Sequence, residues 1–285
     1  MTGQTWLITG VSSGFGRRMT ERLLADGARV AGTVRDPDSV ADLRSAYGDR
    51  LWLAELDVTD LPRVRRVVDR AFEELGRIDV VVNNAGYGLF GAAEELTDEQ
   101  VRHQIDTNLT GSIQVARAAL PHLREQGGGR IIQISTYGGQ ATHPGATLYH
   151  ASKWGIEGFM ESLAKEVATF GVEVTIVEPG GARTGFRSGG ARLAEPLAAY
   201  DGTPAAMVRG IRTAPPSAGD PAKMAAAIIA SAGRTPAPRR LVLGSDAYRF
   251  MHDALTERLA ELEAQKESAA TTGGCTAAWT RSDRG

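Results

Sequence analysis

The chain has 285 residues, 42% hydrophobic and 23% charged, the composition of a globular protein with enough apolar material for a full core. A formal net charge of −2 argues against a broadly basic surface, so neither nucleic acid nor an anionic membrane is an expected partner. The lone Cys275 allows no internal disulfide and no Cys/His metal spacing, and the opening MTGQTWLITG has neither the basic start nor the apolar run of a secretory signal; a cytoplasmic, metal-free protein is expected.

Short apolar, β-branched runs alternate with helix-period segments along most of the chain. TWLIT is followed by a helix over Gly16 to Ala25, ARVAGTV by Ser39 to Tyr47, LWLAEL by Leu61 to Leu75, and IDVVVNN by Asp98 to Glu125. RIIQIS, a helix over Tyr149 to Phe170, and VEVTIVEP continue the pattern. Strands that read as unbroken apolar runs between helices predict a parallel sheet covered on both faces, a doubly wound, Rossmann-like α/β fold. No linker interrupts the alternation, so one domain over 1–265 is predicted.

The stretch 181–219 is rich in Gly, Ala, Arg and Pro with scattered large apolar residues, the pattern of a weakly structured substrate lid. After it come a helix around Pro221 to Ala232, a strand RRLVLG and a helix from about Asp246 to Gln265. The tail 266–285 lacks period and apolar density and is predicted to be disordered, with Cys275 and Trp279 incidental.

Directly after the first strand stands Thr9-Gly10-Val11-Ser12-Ser13-Gly14-Phe15-Gly16, which opens a helix carrying Phe15, Met19, Leu23 and Leu24 on one side. Glycines at a strand-to-helix turn let a pyrophosphate approach the backbone, and the helix N-terminus favours its charge. Gly10, Ser12, Ser13, Gly14, Phe15 and Gly16 are therefore candidate cofactor contacts. Further along come Asp57-Val58, Asn83-Asn84-Ala85-Gly86, Tyr149-x-x-x-Lys153, and Pro179-Gly180 followed by Thr184.

With its Gly-x-x-x-Gly-x-Gly spacing and these motifs in this order from Thr9 to Thr184, the sequence resembles the short-chain dehydrogenase/reductase family in its compact branch. The resemblance implies that Asp57 and Val58 flank the adenine, Asn84, Ala85 and Gly86 line the cofactor, and Pro179, Gly180 and Thr184 hold the nicotinamide end. Asn83 it implies to be structural. The second strand ends Gly32-Thr33-Val34-Arg35-Asp36, with Val34 where NAD-preferring members usually carry an acid. The Arg35 guanidinium suits a 2′-phosphate and Ser12 adds a donor, so NADP(H) is expected over NAD(H), the competing reading giving selectivity to Asp36.

A tyrosine is a poor base at neutral pH, its reference pKa being about 10. Lys153, four residues on, shares its helix face. The resemblance implies that Lys153 and the nicotinamide charge favour the Tyr149 phenolate, that Lys153 holds the nicotinamide ribose, and that Tyr149 exchanges a proton with substrate. It also implies that Asn108, 25 residues after Asn83, holds a water for proton relay through its backbone carbonyl. The family's substrate-binding serine stands 13 residues before the tyrosine, and here that position is Thr136. Ser135 is the alternative, since adjacent strand residues face opposite ways.

Tyr137 is expected as pocket wall, His143 as a surface or substrate contact, and His150 as pointing elsewhere on its helix. Phe186, Leu193, Leu197, Tyr200 and Met207 of the lid are expected to line the substrate site. Together these features predict an NADP(H)-dependent carbonyl reductase or alcohol dehydrogenase acting on a small-to-medium, largely apolar ketone, aldehyde or secondary alcohol. By resemblance it is a homodimer or homotetramer, with the helices over Asp98–Glu125 and Tyr149–Phe170 as interfaces. A nucleotide-sensing, non-catalytic protein and a sugar-nucleotide epimerase are the rival readings.

Overall fold

The structure, a computed structural model, describes residues 3–273. Seven strands form one parallel sheet: β1 (Thr5–Thr9), β2 (Arg29–Val34), β3 (Leu51–Glu55), β4 (Val80–Asn83), β6 (Gly129–Ile134), β7 (Val172–Pro179) and β9 (Arg240–Leu243), in the order β3-β2-β1-β4-β6-β7-β9. Every neighbouring pair is parallel, as the strand–helix alternation predicts. Two three-residue strands that the sequence did not announce, β5 (Gly88–Phe90) and β8 (Ala191–Leu193), form a separate parallel pair.

Alternate residues of each strand serve opposite faces. Leu7 packs with Ala31, Val81 and Ile131 beneath helices α3 (Leu61–Leu75), α5 (Gly111–Glu125) and α6 (Thr147–Glu166). Trp6 and Ile8 turn the other way, against α1 (Gly14–Ala25), α2 (Ala41–Tyr47) and α7 (Pro221–Ser231). Both faces being covered explains why the strands read as continuous apolar runs. Local chemistry sets the helix starts: the Asp60 carboxylate accepts from Arg63 N at 3.0 Å, and Asp220 accepts from Ala222 N at 2.9 Å, in each case with proline in the first turn.

The chain leaves β1 for β2 and β3 on one side and returns to β4 on the other, so the strand order reverses between β1 and β4. In an open parallel sheet that reversal leaves a crevice at the carboxyl ends of the two strands.

Three expectations are corrected. The helix over Asp98 to Glu125 is not uniform: α4 (Asp98–Ile105) passes through a π-helical turn, Asp106–Thr110, into α5. The lid is more ordered than its composition suggests. It carries a π-helical turn at Phe186–Gly190, then β8, then 3₁₀ turns at Ala198–Tyr200 and Pro204–Gly210. Its ends meet where Gly219 N donates to Gly181 O at 3.0 Å, and its outer part is fastened by buried Glu95, which accepts from Leu197 N at 3.0 Å and pairs with Arg209 at 2.7 Å. Beyond α8 (Ser245–Ala264), Lys266–Thr271 forms a further short helix, α9, where the tail was expected to begin. Cys275 and Trp279 lie outside the described residues.

Candidate active site

A cleft of about 600 Å³ opens at the β1/β4 reversal. At one end, α1 begins at Gly14 and presents Ser12, Ser13, Gly14 and Phe15 to the cleft. Gly10 takes φ +74° at the strand-to-helix turn, a left-handed conformation that costs other residues about 1–2 kcal/mol. Gly16 does not line the cleft. It is the point where α1 crosses β1 and β4: a Cβ there would stand 2.2 Å from Gly10 O and 2.4 Å from Asn84 Nδ2.

Asn84 serves that same crossing. Its amide donates to Thr9 O at 2.8 Å and to Gly10 O at 3.0 Å, while Thr9 Oγ1 accepts from Asn84 N and Ala85 N, each at 3.0 Å. The residues after β4 therefore brace the glycine turn, and Asn84, Ala85 and Gly86 also line the cleft. Asn83 faces away and donates to Ser112 O at 2.9 Å.

Arg35, Asp57 and Val58 line the far side of this end. Burial pushes the Asp57 carboxyl up, but hydrogen bonds from Thr59 and the Arg35 charge outweigh it and hold the group below the ordinary carboxylate value. The Arg35 side chain is exposed and pairs with no carboxylate among the described residues. Asp36 instead caps the next turn, accepting from Asp38 N at 3.0 Å.

The other end holds Thr136, Tyr149, Lys153, Pro179, Gly180 and Thr184. Thr136 stands just past β6 with its hydroxyl donating to Pro179 O at 3.3 Å, and the Tyr149 phenol lines the same end of the cleft. Ser135 also borders the cleft, but its hydroxyl donates to buried Glu157 Oε1 at 2.5 Å. Lys153 Nζ donates to Ile134 O at 3.0 Å and lies 5.9 Å from the centre of the Tyr149 ring.

Burial raises the Tyr149 phenol above its ordinary value, with the neighbouring Thr136 hydroxyl working against it. Burial also lowers the Lys153 ammonium to about 8, with the Glu157 charge working against it. Desolvation is the largest influence on both groups.

Asn108 sits within the π-helical turn and does not line the cleft. Its side chain clamps the backbone of Tyr87, donating to Tyr87 O at 2.7 Å and accepting from Tyr87 N at 3.0 Å. The loop at Pro179–Gly180 is held from a place the sequence did not suggest, Asp246 at the start of α8, which accepts from Gly181 N at 2.7 Å.

Among the lid residues expected to contact substrate, only Phe186 lines the cleft. Its ring lies 6.1 Å from that of Tyr149 and 6.3 Å from that of Phe90. Leu193, Leu197, Tyr200 and Met207 are elsewhere: Leu193 packs behind Phe90, Leu197 is exposed, the Tyr200 hydroxyl donates to Glu94 at 3.0 Å, and Met207 is 81% exposed. Apolarity alone selected them, and the pairing of β8 with β5 turns that arm of the lid outward. Ile211 and the Gly189–Gly190 backbone line the cleft in their place.

His150 corrects a further expectation, because it borders the cleft beside Tyr137 and His143. Burial, with His143 nearby, lowers its pKa to about 4, leaving it neutral. Tyr137 OH and His143 Nε2 are 3.0 Å apart and add a polar pair to the lining of the cleft.

The long cleft, the glycine turn, the helix N-terminus and an arginine at its edge fit a dinucleotide, with the hydroxyl, phenol and ammonium gathered at the far end. The model of the short chain dehydrogenase family matches residues 4–191. The chain is 37% identical over 247 residues to "Oxidoreductase BOA17" of Botryotinia fuckeliana, covering 86% of this chain and 90% of that one. Among solved structures, a short-chain dehydrogenase from Streptomyces avermitilis superposes with TM-score 0.89 at 40% identity, covering 96% and 99% of the two chains. One from Burkholderia cenocepacia, crystallised in complex with NADP, gives TM-score 0.74 at 25% identity, covering 93% and 97%.

Proposed function

The chain belongs to the short-chain dehydrogenase family and is an oxidoreductase, and from that premise we propose that it uses NADP(H) to interconvert a ketone or aldehyde with the alcohol. The bound dinucleotide supplies or accepts the hydride. Thr136 Oγ1 holds the carbonyl oxygen and Tyr149 gives it the phenolic proton, or takes the proton back in oxidation. The observation that carries this reading is the gathering of the Thr136 hydroxyl, the Tyr149 phenol and the Lys153 ammonium at one end of the cleft that holds the glycine turn at its other end.

A phenol kept protonated by burial is suited to act as the acid in carbonyl reduction. Lys153, charged at neutral pH, holds the nicotinamide ribose and favours the phenolate once the proton has left. Asn108 supports proton return: a π-helical turn shifts the backbone pairing to i→i+5, and its carbonyl is proposed to hold the relay water. Phe90, Phe186 and Ile211 supply the apolar wall for a small carbonyl or alcohol substrate, excluding water from the reacting atoms. A homodimer or homotetramer acting in the cytoplasm completes the reading. Among the described residues, no helix is long and apolar enough to cross a membrane.

The reading is tested by following NADPH oxidation with a panel of aldehydes and ketones. Turnover above background with at least one of them is expected, and none with any would remove it. A pure nucleotide sensor gains no support from a cleft that keeps Tyr149 and Lys153.

Arg35 carries the cofactor preference. A charge-assisted contact to the 2′-phosphate is worth about 1.5–3 kcal/mol, so Arg35→Ala is expected to lower the ratio of kcat/KM for NADPH over NADH about tenfold or more. An unchanged ratio would return the preference to Asp36 or another group.

The two adjacent hydroxyls separate by mutation. Loss of a donor aimed at the reacting oxygen costs about 10²–10³ in kcat, which is expected of Thr136→Ala. Ser135→Ala, measured in parallel, is expected to lose no more than about tenfold. A greater loss at Ser135 would reverse the assignment.

A further inference from the structure

A buried ionic cluster lies beneath the catalytic end of the cleft and takes no part in the chemistry above. Its centre is Glu157, 2% exposed, one helical turn beyond Lys153 on the same face of α6. One carboxylate oxygen accepts from Ser135 Oγ at 2.5 Å. The other accepts from Gln140 Nε2 and from an Arg240 NH1 proton, each at 2.6 Å. Arg240, on β9, also bonds Glu161 at 2.8 Å and the fully buried Glu178 on β7.

These contacts have a definite arrangement. Ser135 and Gln140 are the two ends of the turn that carries Thr136 and Tyr137, and Glu157 grips both. Between them, a Cβ on Gly139 would come within 1.8 Å of Glu157 Oε1, so the turn is folded directly over the carboxylate. Glu178 immediately precedes Pro179, whose carbonyl oxygen lies 3.3 Å from Thr136 Oγ1. The helix bearing Tyr149 and Lys153, the turn bearing Thr136 and the strand end bearing Pro179 thus converge on one carboxylate and the guanidinium that anchors it.

A buried carboxylate is costly unless every lone pair is used. Here two of its bonds go to the turn that places the Thr136 hydroxyl and the third to Arg240 on the edge strand β9. We propose that Glu157, anchored by Arg240, is a positioning residue that holds the Thr136 hydroxyl in register with Tyr149. Ser135 is the link through which it acts, which gives that hydroxyl a role distinct from substrate binding. The assignment rests on the reductase reading of Thr136 and Tyr149.

Because misplacing a reactive group by about 1 Å can cost roughly a hundredfold in rate, the effect is read in kcat and not in cofactor affinity. The experiment compares wild type, Glu157→Gln and Ser135→Ala with NADPH and whichever of benzaldehyde, hexanal and acetophenone wild type reduces fastest. NADPH Kd is measured by quenching of protein fluorescence, and Tm by calorimetry. Glu157→Gln is expected to lower kcat about 10- to 100-fold, and Ser135→Ala about 3- to 10-fold, each with NADPH Kd within about twofold of wild type. Ser135→Ala removes only the tie to the turn and serves as the arm least exposed to a folding defect.

Wild-type kcat in both variants overturns the assignment while leaving the reductase reading intact. A fall in NADPH affinity parallel to the fall in kcat also overturns it, since that marks general loosening of the fold. If wild type reduces none of the three carbonyls, the reductase reading and this assignment fall together.

Discussion

Tyr149→Phe should lower kcat by at least about a thousandfold while leaving NADPH binding within about twofold of wild type. Positioned general acids contribute roughly 10²–10⁴ in rate, and two other titratable groups near Tyr149 are differently engaged. His150 is buried and neutral, and Tyr137 faces His143 at 3.0 Å. Phenylalanine preserves the ring packing with Phe90 at 5.4 Å and Phe186 at 6.1 Å, so the loss is confined to the hydroxyl. Single-turnover measurement of NADPH oxidation at saturating substrate is the check. A variant within tenfold of wild type would mean that the proton comes from elsewhere.

Gly16→Ala should have the largest effect on the fold at the cofactor end. The new methyl group meets Gly10 O at 2.2 Å and Asn84 Nδ2 at 2.4 Å. Neither can yield cheaply, since one is backbone and the other is fixed by bonds to Thr9 O and Gly10 O. Overpacking of a tight contact costs about 1–3 kcal/mol and sometimes more, so Tm should drop by roughly 5–10 °C. Relief of the clash displaces α1 from the glycine turn, and NADPH affinity should fall about tenfold or more, roughly 1.4 kcal/mol. By contrast, a Cβ at Gly14 meets nothing within 4 Å, although its φ of +56° still imposes strain. Gly14→Ala should therefore weaken the protein less than Gly16→Ala, by calorimetry and by NADPH titration alike.

The fold was legible because its signals are local and repeated. Apolar runs such as TWLIT and VEVTIVEP are buried on both faces, and the helices between them carry their own caps and periodicity. The glycine turn was legible for the same reason, with strand, glycines and helix within a dozen residues. The short β5–β8 pair was not: each strand has three residues, and the partners are separated by about a hundred positions that contain three helices and two strands of the main sheet. A pairing so short leaves almost no periodic trace.

At the site, order along the chain could bring Thr136, Tyr149 and Lys153 under consideration, but not what lies behind them. Glu157 reads as one more charge on an amphipathic helix until Arg240, 83 positions later, is seen against it. Asp246 reads as an ordinary first-turn acid until it meets Gly181. His150 escapes sequence reasoning because a residue beside Tyr149 on a helix points to a different face, whereas the loop carrying Tyr137 and His143 wraps around to meet it. The four lid residues stand out in sequence by hydrophobicity, which does not tell a pocket wall from a surface.

The parallel pairing of β5 with β8 divides the long segment into two arms with different freedoms to change. Residues before the pair include Phe186, Gly189 and Gly190, which face the cleft. Those after it, from Glu195 to Gly210, are exposed or half-buried and lie outside the cleft, fastened by Glu95 and by Val208 packing into the Phe90 cluster, before Ile211 returns to the cleft. Pocket shape and attachment to the body are thus assigned to separate stretches of chain. The outer arm can accept insertions or altered charge while the inner arm keeps its register, so substrate choice and surface properties can vary independently of each other.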